Sequence, residues 1–284
     1  FIYIFISNYL MWPGRFIAGN SIKQVLPVAN KILEKQKTPI INYAIEHTDN
    51  PKEILVEHMD LVNYMDYQYK LAIKVSSFGF DQDLINMLVE RCVGKNIRVI
   101  IDAEDNQNNN QYQEITNYLM QIHNKYIPYV LKTYQMYRKD GLRTLENDLI
   151  NSRINDYHLG IKLVRGAYFH TEKEQGHLFT EKKLTDESYN KGIYTIGQNI
   201  FKTYTILATH NIDSVRLGYM HNKNARRPIF EFAHLMGMQE KNYQALANSG
   251  EKVNVYLPYG PYTKMIPYLT RRMYENMDML KYMK

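Results

Sequence analysis

What the chain has little of narrows it first. A single cysteine, Cys92, among 284 residues excludes an internal disulfide framework and any zinc site built on thiolates. Set in an apolar helical pattern, Cys92 is predicted to be a core residue rather than a nucleophile. No glycine-rich dinucleotide fingerprint follows the first predicted strand, and no repeat of solenoid type is present. Long runs of one charge are missing, so the net charge of +6 and the pI near 9.0 come from bases scattered among acids. That balance gives little support to nucleic-acid binding and fits acidic small molecules or an anionic membrane surface equally well. Apolar runs are short too. Phe1 to Trp12, broken by Ser7 and Asn8, is too short to cross a bilayer and lacks the basic flank of a signal peptide. A helix packed on the domain is expected there, with peripheral membrane contact as the alternative. Because the chain starts at Phe1 rather than methionine, its true N-terminus is expected to be missing.

What is present is an alternation of short β-branched runs with helical periods. Predicted strands cover Thr38 to Ile45, Tyr69 to Ser77, Arg98 to Glu104, Tyr129 to Tyr137, Leu159 to Ala167, Thr203 to Asn211, Ile229 to Gly237 and Val253 to Gly260. Helical periods lie at Ser21 to Gln36, Pro51 to Gln68, Asp81 to Lys95, Tyr112 to Lys125 and Ile212 to Tyr219. Apolar strands alternating with helices imply parallel pairing, and eight such units in this length predict an α/β fold of the (β/α)8 TIM type. The expected organisation is an N-terminal helical segment over residues 1–37 followed by a barrel over residues 38–284. The polar tract Asn106 to Gln113 is predicted to be a loop tip, and Tyr168 to Asp186, without clear pattern, a long loop serving as a lid or cofactor clasp.

Catalytic groups of such barrels gather at the carboxyl ends of the strands. The predicted ends carry Glu46, Lys74, Asp102, Gln135, Lys162, Arg165, His210, Asn211 and Tyr256, unusually polar for apolar strands. Lys74 is either a rim lysine reaching water or a cation for an anionic ligand. Lys162 is a second such cation, and a lysine there is also suited to a Schiff base, which keeps a lyase or aldolase open. Asp102 with Glu104 reads as a base pair or as a carboxylate orienting a cation. His210 has no second ligand at metal spacing, so no metal site is expected. Near the end of the chain, Tyr268, Arg271, Arg272 and Glu275 fall on one helical face, either a solvated Arg/Glu pair or two guanidinium forks facing a carboxylate ligand.

Taken together, Lys74-Val75-Ser76, Asp102-Ala103-Glu104, Tyr134-Gln135-Met136-Tyr137, Lys162 to Tyr168 (KLVRGAY), Thr180 with Thr185 to Tyr189 (TDESY), Ala208 to Asn211 (ATHN), Phe232 to Met238 (FAHLMGM), Tyr256 to Gly260 (YLPYG) and Tyr268 to Asn276 (YLTRRMYEN) stand in one order. In that order they resemble the proline dehydrogenase family, somewhat closer to its stand-alone eukaryotic-type members.

The resemblance implies a barrel whose last helix, carrying Tyr268 to Asn276, packs over the strand ends. It implies FAD-dependent oxidation of L-proline to Δ1-pyrroline-5-carboxylate by hydride transfer from C5 to flavin N5. Arg271, Arg272 and Lys74 would bind the carboxylate. Tyr256, Tyr268 and Leu235 would wall the ring, with Leu163 beneath it and Ala167 and Tyr168 nearby. Asp102 would hold Tyr256 or Lys74, Glu275 would orient the arginines and reach the flavin, and Glu46 would pair with Arg271 as a gate. Lys162 and Gln135 would lie at the flavin ring, with Val164, Gly166, Thr180, Thr209, His210 and Asn211 lining the rest. His234 stands where related chains often have glutamine or cysteine. Electrons would pass to a membrane quinone and the product to a separate pyrroline-5-carboxylate dehydrogenase. The location would be mitochondrial, at the inner membrane, as for eukaryotic-type relatives. 4-Hydroxyproline remains an alternative substrate.

Overall fold

The computed structural model describes residues 16–45 and 49–265. Eight parallel strands close into a barrel in the order β1 to β8. They are β1 (Thr38–Tyr43), β2 (Lys70–Lys74), β3 (Arg98–Asp102), β4 (Val130–Gln135), β5 (Leu159–Val164), β6 (Thr203–Ala208), β7 (Phe230–Leu235) and β8 (Val253–Tyr259). Closure is the β1–β8 pairing, which runs from Thr38 opposite Asn254 to Tyr43 opposite Tyr259. Helix α1 (Ile22–Glu34) leads into β1, and between the strands run α2 (Pro51–Asn63), α3 (Gln82–Gly94), α4 (Asn109–His123), α5 (Gly141–Ile154), α6 (Lys182–Gln198), α7 (Ile212–Asn224) and α8 (Glu240–Asn248). Helix α1 precedes β1 in sequence yet packs against both β1 and β8, burying Val25, Ala29 and Ile32.

Strand side chains alternate between the barrel interior and the helical layer, and this period of two sorts the sequence into layers. At the amino-terminal end the interior is polar. Lys70 donates to Glu231 at 2.9 Å and to Asn254 at 2.5 Å, and Arg98 lies 4.3 Å from the Tyr204 ring centroid. Burial opposes ionisation of Glu231, but Lys70 beside it wins and holds the carboxyl down to about 2. Above this plug sits an apolar layer of Ile40, Ala72, Ile100, Leu131, Ile206 and Ala233. One more step toward the carboxyl ends brings polar side chains back: Lys74, Asp102, Thr133, Gln135 and Lys162.

Two local expectations change. The tract from Asn106 is only in part a loop tip, because α4 begins at Asn109: Tyr112, Ile115, Thr116, Leu119 and Met120 form one buried face that outweighs the weak helix propensity of the asparagines. The segment from Tyr168 is no bare loop. A helical turn (Phe169–Glu172) and a 3-10 turn (Lys173–Gln175) are followed by a bridge between Arg138 and Leu178, and α6 begins at Lys182. Buried Glu172 fastens this segment, accepting from the Asn106 backbone N–H at 2.5 Å, from the Tyr137 hydroxyl at 3.2 Å and from His177 Nε2 at 3.1 Å. The helix expected over the strand ends falls on residues 266–284, outside the described residues, as does the N-terminal stretch of residues 1–15.

Candidate active site

A cavity of about 430 Å3 opens at the carboxyl ends of the strands. Its centre is a three-residue contact drawn from three strands. Asp102, the last residue of β3, accepts from Lys162 Nζ at 2.5 Å through one carboxylate oxygen and from the Tyr256 hydroxyl at 2.5 Å through the other. Lys162 Nζ also lies 4.9 Å from the Tyr256 ring centroid. The carboxylate thus sets both a cation and a phenol ring, and does so where all three side chains are buried. Of the two partners expected for Asp102, Tyr256 lies in contact with it, and the lysine in contact is Lys162.

Lys74 ends β2 and has its own surroundings. Its ammonium donates to the Tyr168 hydroxyl and stands 3.9 Å from the carboxylate of Glu104. Glu104 is buried and fixed by the Ser76 backbone N–H at 2.9 Å, and Tyr168 donates to the Ala103 carbonyl at 3.2 Å. The Asp102-Ala103-Glu104 stretch therefore serves two cations, one carboxylate each, and brings Lys74 and Lys162 to a single cavity.

Gln135 ends β4 and is committed at both ends of its amide. Its Nε2 donates to the Glu104 carbonyl at 3.1 Å and its Oε1 accepts from the Ala167 backbone N–H at 3.1 Å. Gly166 lies between, with φ +150° and the Tyr137 ring so close that an added Cβ would sit 2.4 Å from it. Only glycine fits that backbone, which lines the cavity beside Val164, Arg165 and Ala167. Arg165 ties three elements together: it donates to Asp186 of α6 at 2.9 Å, to the Thr209 hydroxyl and to the Ser214 hydroxyl of α7 at 2.9 Å. Burial works against the Asp186 charge, yet hydrogen bonds from Lys182 and Arg165 outweigh it and hold the carboxyl below its usual range. Asn211 caps α7 by accepting from the Asp213 and Ser214 backbone N–H groups. His210 Nε2 accepts from the Leu235 backbone N–H at 3.2 Å.

Three proposed residues are not among those lining the cavity: Leu163, Thr180, and Tyr168, whose hydroxyl instead meets the Lys74 ammonium. Leu163 is fully buried on the outer face of β5, against Gly192 of α6 and beneath the Tyr189 hydroxyl, which bonds its carbonyl. Strand alternation forces this: with Lys162 and Val164 pointing inward, the residue between them points out. Thr180 is exposed and is not among the cavity-lining residues. Glu46, Tyr268, Arg271, Arg272 and Glu275 lie outside the described residues. Thr133, by contrast, was missed. It lines the cavity with a buried hydroxyl that has no partner among the described residues, and nothing in its sequence neighbourhood marks it. Glu104 was in view only as half of a pair with Asp102. Among the described residues no group of three or more metal-ligating side chains converges.

Fold and site together define a (β/α)8 barrel whose carboxyl-end cavity holds Lys74 and Lys162, the Asp102 carboxylate that Lys162 contacts, and a wall of Tyr256 and Leu235. The proline dehydrogenase family model matches residues 23–284, and the chain belongs to that family. It is 30% identical over 223 residues to the mitochondrial proline dehydrogenase 1 of Caenorhabditis elegans, covering 71% of this chain and 36% of that one. Over 213 residues it is 30% identical to the hydroxyproline dehydrogenase of Xenopus laevis, covering 69% of this chain and 46% of the relative. The chain thus spans less than half the length of either relative. Among solved structures, proline utilization A from Bdellovibrio bacteriovorus, inactivated by N-propargylglycine, superposes with a TM-score of 0.85 over 93% of this chain and 32% of that one, at 19% identity.

Proposed function

We propose that the chain is an FAD-dependent proline dehydrogenase that oxidises L-proline to Δ1-pyrroline-5-carboxylate. The observation that carries this is the convergence of Lys74, Lys162, Asp102 and Tyr256 on one cavity at the catalytic face of a barrel belonging to this family. When bound, FAD supplies the two-electron acceptor for the hydrogen leaving C5 of the ring.

The residues present fit such a group. The cavity is of a size that holds a small ligand against a ring system, the Thr133 hydroxyl has no partner among the described residues, and Gly166 leaves backbone open to close approach. Lys162, Gln135, Val164, Gly166, Thr209, His210 and Asn211 would hold the flavin, joined by Glu275. Lys74 would take the substrate carboxylate with Arg271 and Arg272, and Tyr256, Leu235 and Tyr268 would confine the ring. Glu104 and Tyr168 orient the Lys74 ammonium, so its charge is placed before a substrate arrives. Asp102 keeps the Lys162 charge and the Tyr256 ring in register, and the lysine would stabilise negative charge developing beside it.

Electrons would leave to a quinone, the product would need a separate pyrroline-5-carboxylate dehydrogenase, and the location would be mitochondrial. Among the described residues no helix is long and apolar enough to cross a membrane. A hydroxyproline substrate is the second reading, favoured by the relative of that name. Turnover of proline and 4-hydroxyproline with an artificial electron acceptor separates the two. Arg271→Lys and Arg272→Lys should each raise the proline KM by roughly tenfold or more with flavin retained; unchanged KM in both would remove the clamp. Trapping by borohydride with substrate, in a colourless protein, would favour a lyase instead.

A further inference from the structure

Leu235 closes β7 and walls the cavity, and its peptide is held from two sides by histidines. His210, past the end of β6, accepts from the Leu235 N–H at 3.2 Å. His234, the residue before, also lines the cavity and lies 3.0 Å through Nδ1 from the Leu235 carbonyl. That carbonyl also accepts from the Met238 N–H at 3.0 Å, so the imidazole adds a second donor to a turn already closed. The His234 ring is itself wedged: it is 2% exposed and stacks on Tyr243 of α8 with centroids 4.4 Å apart. Tyr243 donates to the Thr209 carbonyl, and Gln239 donates to the His210 carbonyl at 2.8 Å. His234 is thus tied to α8 and His210 to the residue that caps it, and between these two cavity-lining histidines stands Leu235.

We propose that His234 is a positioning residue for ring selectivity: with His210 it clamps the Leu235 peptide and so sets how far that wall stands from the ring of the substrate. The proposal rests on the functional reading above, in which Leu235 confines a five-membered ring. A wall held by backbone hydrogen bonds at both its N–H and its carbonyl cannot shift by the few tenths of an ångström that a larger ring needs. Without the imidazole the carbonyl falls back on the Met238 N–H, and the wall is held less tightly. Size discrimination in an apolar pocket depends on such rigidity, because one added methylene is otherwise tolerated by small displacements.

The test separates the ring of His234 from its donor. His234→Phe keeps a planar ring stacked on Tyr243 and removes the donor, whereas His234→Gln keeps a donor and removes the aromatic ring. Binding of cyclopentanecarboxylate and cyclohexanecarboxylate, which cannot be oxidised, is measured calorimetrically on the flavin-loaded protein, alongside proline KM and kcat. In the parent the five-membered ring should be preferred. His234→Phe should narrow that preference by roughly three- to tenfold and raise proline KM more than it lowers kcat, with flavin content and Tm near the parent's. His234→Gln should restore most of the preference. An unchanged preference in His234→Phe overturns the proposal while leaving the functional reading intact. Failure of the parent to bind either acid overturns both.

Discussion

His58 and His234 are each buried and each held neutral by that burial, with their pKa values pushed down to about 4 from the ordinary 6.5. His58 lies in α2 between Tyr43 and Phe78, and among the described residues its ring bonds only through Nδ1, to the Ile54 carbonyl. In the unfolded chain both would take up a proton between pH 6.5 and 4 that the native state refuses, so stability is full above that window and falls as pH drops through it. The loss is at most on the order of 3 kcal/mol per histidine. Thermal melts from pH 7.5 to 4.5 should show a falling Tm with the slope confined below about pH 6.5, and His58→Phe should reduce that slope; a flat profile would mean that neither site stays dry. A second prediction concerns Asp102. Asp102→Asn keeps an acceptor for Tyr256 but removes the charge that Lys162 faces, so kcat should fall roughly ten- to hundredfold with a smaller change in KM; a raised KM with kcat unchanged would mean that the carboxylate acts only in binding. At this scale the sequence was legible wherever a polar side chain ended an apolar strand, as with Lys74, Asp102 and Lys162. It was not legible for Thr133, whose threonine looks like any strand residue, nor for Leu163, whose motif position outweighed the period of two.

At the scale of elements, the catalytic face depends on how closely the ends of β4 and β5 approach. The Gly166 backbone passes the Tyr137 ring with no room for a Cβ, and the Gln135 amide spans from the Glu104 carbonyl to the Ala167 N–H across that approach. Gly166→Ala should therefore displace residues 165–167, with flavin content falling and stability reduced by about 1–3 kcal/mol. Measuring bound flavin per protein and the unfolding midpoint checks both; full flavin occupancy would show that this backbone does not line the cofactor. All eight strands were readable because β-branched runs alternate with helical periods. Helices α5, α6 and α8 were not, since α5 and α6 interleave polar residues with few large apolar ones and α8 is only 9 residues long. The start of α4 was hidden for another reason: asparagines usually mark turns, and only the buried face from Tyr112 onward shows that they open a helix.

For the whole molecule, the barrel separates two jobs along its axis. The amino-terminal plug around Lys70, Glu231 and Asn254 neutralises its own charges, and the apolar layer isolates it from the cavity. Charge at the carboxyl end is arranged differently, with Lys74 near Glu104 at 3.9 Å and Lys162 on Asp102, two cations brought to the space where an anionic substrate would sit. Such a layout is expected of a binding and catalytic face rather than of a stability device. The most direct measurement is an anaerobic titration of the purified protein with L-proline, following absorbance near ~450 nm, the band of oxidised flavin. A yellow protein that bleaches fully on saturation with proline, and does so only at much higher proline in Lys74→Met, is the predicted result. A flavin that stays oxidised in the presence of saturating proline would contradict the account.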